Sequence, residues 1–157
     1  MLFTILKNLD RFRSSLSDGV SLLSNTGAPR YTIRAATTNA GLNLSFLQYS
    51  DSSYSSSAPI LDIHGNTSNG PAELLLPWSF EGVFDVSTSP TYQADFSSAS
   101  SFGSDPLRLG RQRKVDFTTS TQSWKEGRVY WGDLDDGREL GRVELSTSNA
   151  PALLQIQ

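Results

Sequence analysis

The sequence predicts an all-β domain: an antiparallel β-sandwich or a short β-solenoid, built from about five two-strand repeats and preceded by an amphipathic helix. Three observations predict it. A short phrase of apolar, charged, apolar and then Ser/Thr residues recurs five times along the chain. About a quarter of the residues are Ser or Thr, which suit strand surfaces and turns better than helix interiors. Corner chemistry, Asn beside Gly, Ala or Pro, follows three of the copies.

The bulk properties agree. A chain of 157 residues is long enough for one domain with a real core. Its hydrophobic share of 37% and charged share of 18% are both low for a globular protein, and Ser and Thr fill the gap. A net charge of -3 argues against a nucleic-acid partner. The absence of cysteine excludes disulfides and thiolate metal sites.

The first element is the helix. Leu2, Ile5, Leu6, Leu9, Phe12 and Leu16 recur at three- and four-residue steps, and Lys7, Arg11 and Arg13 make the polar side basic. This spacing predicts a helix that packs on its own domain or on a second copy. Asp10 and Asp18 weaken a membrane-surface reading. Residues 1–30 are therefore assigned to helix and linker, and residues 31–157 to the β-repeat domain. The start lacks a basic stretch before its apolar part and a small-x-small cleavage site, so the cytoplasm or non-classical export is expected.

The repeats follow. The copies are "IRAATTN" from Ile33, "LDIHGNTSN" from Leu61, "FDVSTS" from Phe84, "VDFTTS" from Val115 and "VELSTSN" from Val143. Alternation at period two puts Phe84 and Val86 on one face and Asp85 on the other. Val115, Phe117 and Asp116 repeat the pattern, as do Val143, Leu145 and Glu144. Residues 38–41, 68–71 and 148–151 are predicted corners, because Asn tolerates left-handed backbone and Pro interrupts a ladder. A second strand follows each corner, in "LNLSFLQ", "AELLLP" and "ALLQIQ", with weaker candidates in "YQADF" and "GRVYWG". In "AELLLP", Leu74 and Leu76 share a face and Leu75 opposes them, which predicts cover on both sides. Residues 48–59 and 97–114 interrupt the rhythm as Ser-rich loops, the second with a basic end.

The stretches "TTNAGLNLSF", "TSNGPAELLLPWSFEGVFDVSTS", "DPLRLGRQRKVDF", "GRVYWGD" and "GRVELSTSNAPALLQ" carry a resemblance. Across residues 31–157 the chain is similar to an uncharacterised family of β-rich repeat domains from mushroom-forming fungi. Through the Thr-Ser-Asn corners alone it also resembles adhesin-like β-repeat domains. The resemblance implies a β-rich repeat fold and supplies no reaction, ligand or catalytic residue.

Few residues point to chemistry. His64 is the only histidine, and no G-x-S-x-G elbow accompanies it, so it is expected on a wet strand face. Asp133, Asp135 and Asp136 precede Gly137 without the spacing or closing Glu of a calcium loop, which predicts a solvated hairpin. Asn66 and Asn43 begin N-x-[ST] patterns at the frequency chance supplies, and the run at Asn66 is read as a corner. No catalytic residue, cofactor or metal site is expected. Trp78, Trp124, Tyr130 and Trp131 are the candidate ligand-binding aromatics, although Trp131 alternates with Val129 toward the core. Arg108, Arg111, Arg113 and Lys114 are candidates for contact with an anionic surface. The expected function is a non-catalytic structural or interaction module, adhesin-like in kind. Its expected partner is a second copy, as oligomer or fibre, through strand edges or the N-terminal helix. A carbohydrate- or surface-binding module is the alternative, and an enzyme acting on glycans a more distant one.

Overall fold

A computed structural model describes residues 21–23 (backbone only), 30–46, 60–98, 105, 109–133 and 139–157. The expected helix within residues 1–20 and the Ser-rich loop at residues 48–59 lie outside them. The described residues are all-β. They form β1 (Ser21–Leu23), β2 (Arg30–Thr37), β3 (Leu42–Ser45), β4 (Ile60–Thr67), β5 (Ala72–Leu76), β6 (Gly82–Thr88), β7 (Ala94–Ser98), β8 (Arg113–Ser120), β9 (Trp124–Trp131), β10 (Gly141–Thr147) and β11 (Ala152–Ile156). β1 falls in the stretch assigned to helix and linker.

Two sheets result, and they do not close into a barrel. The larger has the order β1-β2-β4-β10-β6-β9-β8, and the smaller β3-β5-β11-β7. The expected antiparallel pairing is corrected. Every ladder that joins β2–β3, β4–β5, β6–β7 and β10–β11 to one another is parallel, in both sheets. Only β1–β2, β6–β9 and β8–β9 run antiparallel. The reason is geometric. Each unit runs up one sheet, bends, and returns through the other. The next unit therefore re-enters the first sheet in the original direction, and the second-sheet strand serves as the crossover that parallel pairing requires.

Four phrase copies behave in this way, through the pairs β2–β3, β4–β5, β6–β7 and β10–β11. The copy from Val115 does not. It lies in β8, which turns back through a tight hairpin into β9 instead of bending into the second sheet. The register aligns Ile33, Ile63, Phe84 and Val143, and four residues later Thr37, Thr67, Thr88 and Thr147. The second copy thus starts at Ile63, two residues after the Leu61 chosen from sequence. An even offset leaves its faces unchanged.

Period-two alternation fills one core between the sheets. Ile33, Ile63, Phe84, Val86, Val143 and Leu145 enter it from the larger sheet, and Leu44, Leu74, Leu76, Leu154 and Ile156 from the smaller. Glu73 is exposed and Leu75 only half-buried, so the outer face of β5 is wet and the predicted two-sided cover is not present. At one end Phe84 stacks on Phe96 at 4.4 Å, and Phe117 meets both rings edge-on at 5.6 and 5.5 Å. This cluster holds the β8–β9 hairpin over the β6–β7 unit. The last unit in the chain, β10–β11, sits between the second and the third and is central in both sheets.

Candidate functional site

The corners are the first place where side chains converge. Thr67 is buried and donates its hydroxyl to Ala40 O at 2.9 Å, and Thr147 donates to Gly70 O at 3.1 Å. Thr88 donates to Tyr92 O at 3.0 Å. Each hydroxyl ties its own strand end to a bend, either its own or its neighbour's. Outside them runs a ladder of amides. Asn149 Nδ2 donates to Asn69 Oδ1 at 2.8 Å, and Asn69 Nδ2 donates to Asn39 Oδ1 at 2.7 Å. The bends also share backbone bonds, from Ser68 N to Thr37 O and from Asn69 N to Thr38 O. Gly70 lets this happen: a Cβ there would sit 2.4 Å from the Ala40 backbone. Sequence reasoning placed these corners but missed the amide ladder. Its signal was the Asn at equal offset after three aligned Thr residues.

The basic cluster is redistributed. Arg108 lies outside the described residues. Arg111 turns inward, where its Nη2 and Nε hold Asp105 Oδ1 at 2.6 and 3.0 Å, and its Nη1 donates to Trp131 O at 3.1 Å. Asp105 is only 5% exposed and also accepts from the Leu109 and Arg111 backbone N–H groups. Glu81 stands 3.8 Å from Arg111 and accepts the Trp131 N–H at 2.8 Å. Arg113 donates to the carbonyls of Gln157 and Trp78 and lies 5.7 Å from the Trp131 ring, and burial lowers its pKa. Only Lys114 is exposed, and it pairs with Asp133 at 3.1 Å. Arg111 and Arg113, both half-buried, thus direct their guanidinium groups to internal partners. Asp105 and Glu81, which organise this end, were missed because neither stands in a recurring phrase.

Three of the four candidate aromatics are partly or wholly buried. Trp131 is 3% exposed and packs inward, as its alternation predicts. Tyr130 points to the outer side as expected but is only 7% exposed, because Lys114 covers its ring and its hydroxyl donates to Asp116 at 2.6 Å. That bond is the main cause that raises its pKa, with burial second. Trp78 is half-buried at the end of β5. Trp124 alone among the four is well exposed, at 41%.

Trp124 opens the outer face of the larger sheet. The register sets Trp124, Ser87, Ser146 and Asn66 side by side on β9, β6, β10 and β4, and Glu126, Asp85, Glu144 and His64 in the row beneath. Asn66 Nδ2 donates to Ser146 Oγ at 3.1 Å. Glu144 meets His64 at 2.8 Å and Arg142 at 2.7 Å. Burial pushes the Glu144 carboxyl up, but His64 and Arg142 outweigh it and hold it below the ordinary value. Asp85 moves the other way. Burial raises its pKa first, and the Glu126 and Glu144 charges add to this, against a Trp124 hydrogen bond and Arg142. Among the described residues, no group of three or more His, Asp or Glu side chains is arranged to hold a metal ion. Asp135 and Asp136 lie outside those residues.

The two ends of the stack differ. Leu42 N donates to Pro71 O and Phe46 N to Leu75 O, so by alternation the N–H and C=O groups of Asn43 and Ser45 point away from β5. Thr37 O accepts from Ser68 N, which turns Arg34 and Ala36 outward on β2. At the opposite end, Thr88 N and Ala94 N donate to Ser123 O and Gln122 O, and β8 carries a bulge between Phe117 and Thr119. No protein-family model, no curated protein and no solved structure matches the chain.

Proposed function

We propose that the protein is a non-catalytic interaction module, a stack of four β-arcs between two layers, that pairs with a second copy through its β2–β3 end. The carrying observation is the asymmetry of its ends. Edge strands recruit other chains unless bulges, charges or proline block them. β8 is blocked by its bulge and by exposed Lys114 and Asp116. β3, with the sequence Leu-Asn-Leu-Ser, carries no charge and no proline. β1 pairs with Arg30, Tyr31 and Thr32 of β2; beyond it the outward groups of Arg34 and Ala36, with those of Asn43 and Ser45 and the Asn39 amide at the end of the ladder, form a polar template among the described residues. Two such ends match each other, which favours a closed two-fold pair over a fibre.

The test is light scattering across a concentration series on the full chain, beside Asn43→Pro. Proline at Asn43 removes an outward N–H and leaves the backbone bonds to β5 in place, at the loss of the exposed bond from Asn43 Nδ2 to Glu73 Oε2 at 3.1 Å. The expected result is a concentration-dependent dimer for the wild type and a folded, cooperatively melting monomer for Asn43→Pro, its midpoint lowered by no more than the loss of one exposed hydrogen bond. A wild type that stays monomeric at every concentration overturns the reading.

A further inference from the structure

Trp124 is an exposed indole without an evident packing role. It stands opposite Ser87 and diagonal to Asp85 on β6, and its indole N–H, a donor only, acts to lower the Asp85 pKa. Along the strand-to-strand direction it is followed by Ser87, Ser146 and Asn66, a row of hydroxyl and amide groups repeating at about 4.8 Å, the spacing of neighbouring strands. That step is close to the length of one pyranose unit. Beneath the first two positions lie Glu126 and Asp85, acceptor-only groups that make no ion pair among the described residues.

We propose that this face binds a neutral oligosaccharide, with one pyranose ring stacked on Trp124 and the following units laid along Ser87, Ser146 and Asn66. The C–H face of the sugar takes the apolar indole surface. Its hydroxyls donate to Asp85 and Glu126 and exchange bonds with the serine and asparagine groups. The row beneath carries Glu126 and Asp85 with no ion-pair partner among the described residues, so uronic or sulfated sugars are repelled. A compact organic cation uses the carboxylates but leaves the uncharged row empty, whereas an extended polyol uses both rows. This site is on the sheet face and stands independently of pairing through the β2–β3 end.

Titration of the full chain with cellohexaose, chitohexaose and laminarihexaose, read at the Trp124 indole N–H resonance, tests it. At least one hexasaccharide is expected to shift that resonance saturably and to bind at least tenfold more tightly than its monosaccharide. Trp124→Ala should abolish the binding with the thermal midpoint unchanged, and Trp124→Phe should retain part of it. Asn66→Ala with Ser146→Ala should weaken the hexasaccharide severalfold and leave the monosaccharide unaffected. No shift with any of the three at millimolar concentration overturns the proposal. So does binding that survives Trp124→Ala, or equal binding of oligogalacturonate or choline.

Discussion

At the scale of residues, polar side chains do two kinds of structural work. The amide ladder ties three bends together, with Asn69 as both donor and acceptor. Asn69→Asp keeps an acceptor for Asn149 and loses the donor to Asn39. It should cost about 0.5–1.5 kcal/mol in denaturant unfolding, the range of one net hydrogen bond. The Asp105–Arg111 pair is buried and fully bonded, and the larger penalty belongs to breaking one half of it. Asp105→Ala should destabilise by about 3–5 kcal/mol, whereas Asp105→Leu combined with Arg111→Met should recover much of that loss. The outer-face carboxylates act in opposite directions with pH. Glu144 is held below its ordinary value, so its contribution is present at neutral pH and is lost as pH falls through its folded pKa. Asp85 is raised, so its contribution is present at low pH and is lost as pH rises through its folded pKa. Asp85→Asn keeps an acceptor for the Trp124 indole. Its thermal midpoint should gain on the wild type as pH rises from 3 to 7, while that of Glu144→Gln should fall behind over the same interval.

At the scale of elements, the phrase and the corner are a unit. Apolar residues two apart commit one strand face to the core, and the terminal Thr ends the strand against a bend. The parity was legible, since Phe84, Val86, Val143 and Leu145 all face inward as alternation requires. β5 shows the same economy. Leu74 and Leu76 are buried in the shared core, so Leu74→Ala should cost about 2–5 kcal/mol by chemical denaturation, whereas half-buried Leu75→Ala should cost clearly less. Gly70 is a stricter position. Gly70→Ala forces its Cβ against the Ala40 backbone, which should lower the thermal midpoint well beyond what exposed Asn69→Ala does. The copy from Val115 shows where phrase reasoning stops. "VDFTTS" lacks the Asn that continues three of the other corners, and its strand folds back through residues 121–123 into β9. The inward place of Trp131 follows from its alternation with Val129, whereas the placement of Arg111 and Arg113 is not settled by sequence position. Only the packing of that end against Glu81, Asp105 and Gln157 decides it.

At the scale of the whole molecule, the last unit is the keystone. β10 pairs with β4 and β6, and β11 with β5 and β7, so neither sheet is continuous without them. A chain ending at Leu140 should lose the cooperative thermal transition altogether, which calorimetry reads directly. Because these pairings are long-range in sequence, refolding of the full chain should be slow for its size, in milliseconds to seconds by stopped-flow. The end proposed to pair and the face proposed to bind sugar lie on different surfaces of this stack, so Asn43→Pro and Trp124→Ala should each leave the other property intact. What the sequence by itself determined was local: an all-β chain, the residues that face inward, and the places where it bends. Alternation and turn chemistry act between near neighbours, and near neighbours are what a sequence displays. The tertiary structure alone decided that the ladders run parallel, that the fourth unit enters between the second and third, and which charged and aromatic groups remain open to a partner. Those outcomes depend on strands meeting across the core, and alternation that hides one face of a strand carries no record of which strand lies beside it.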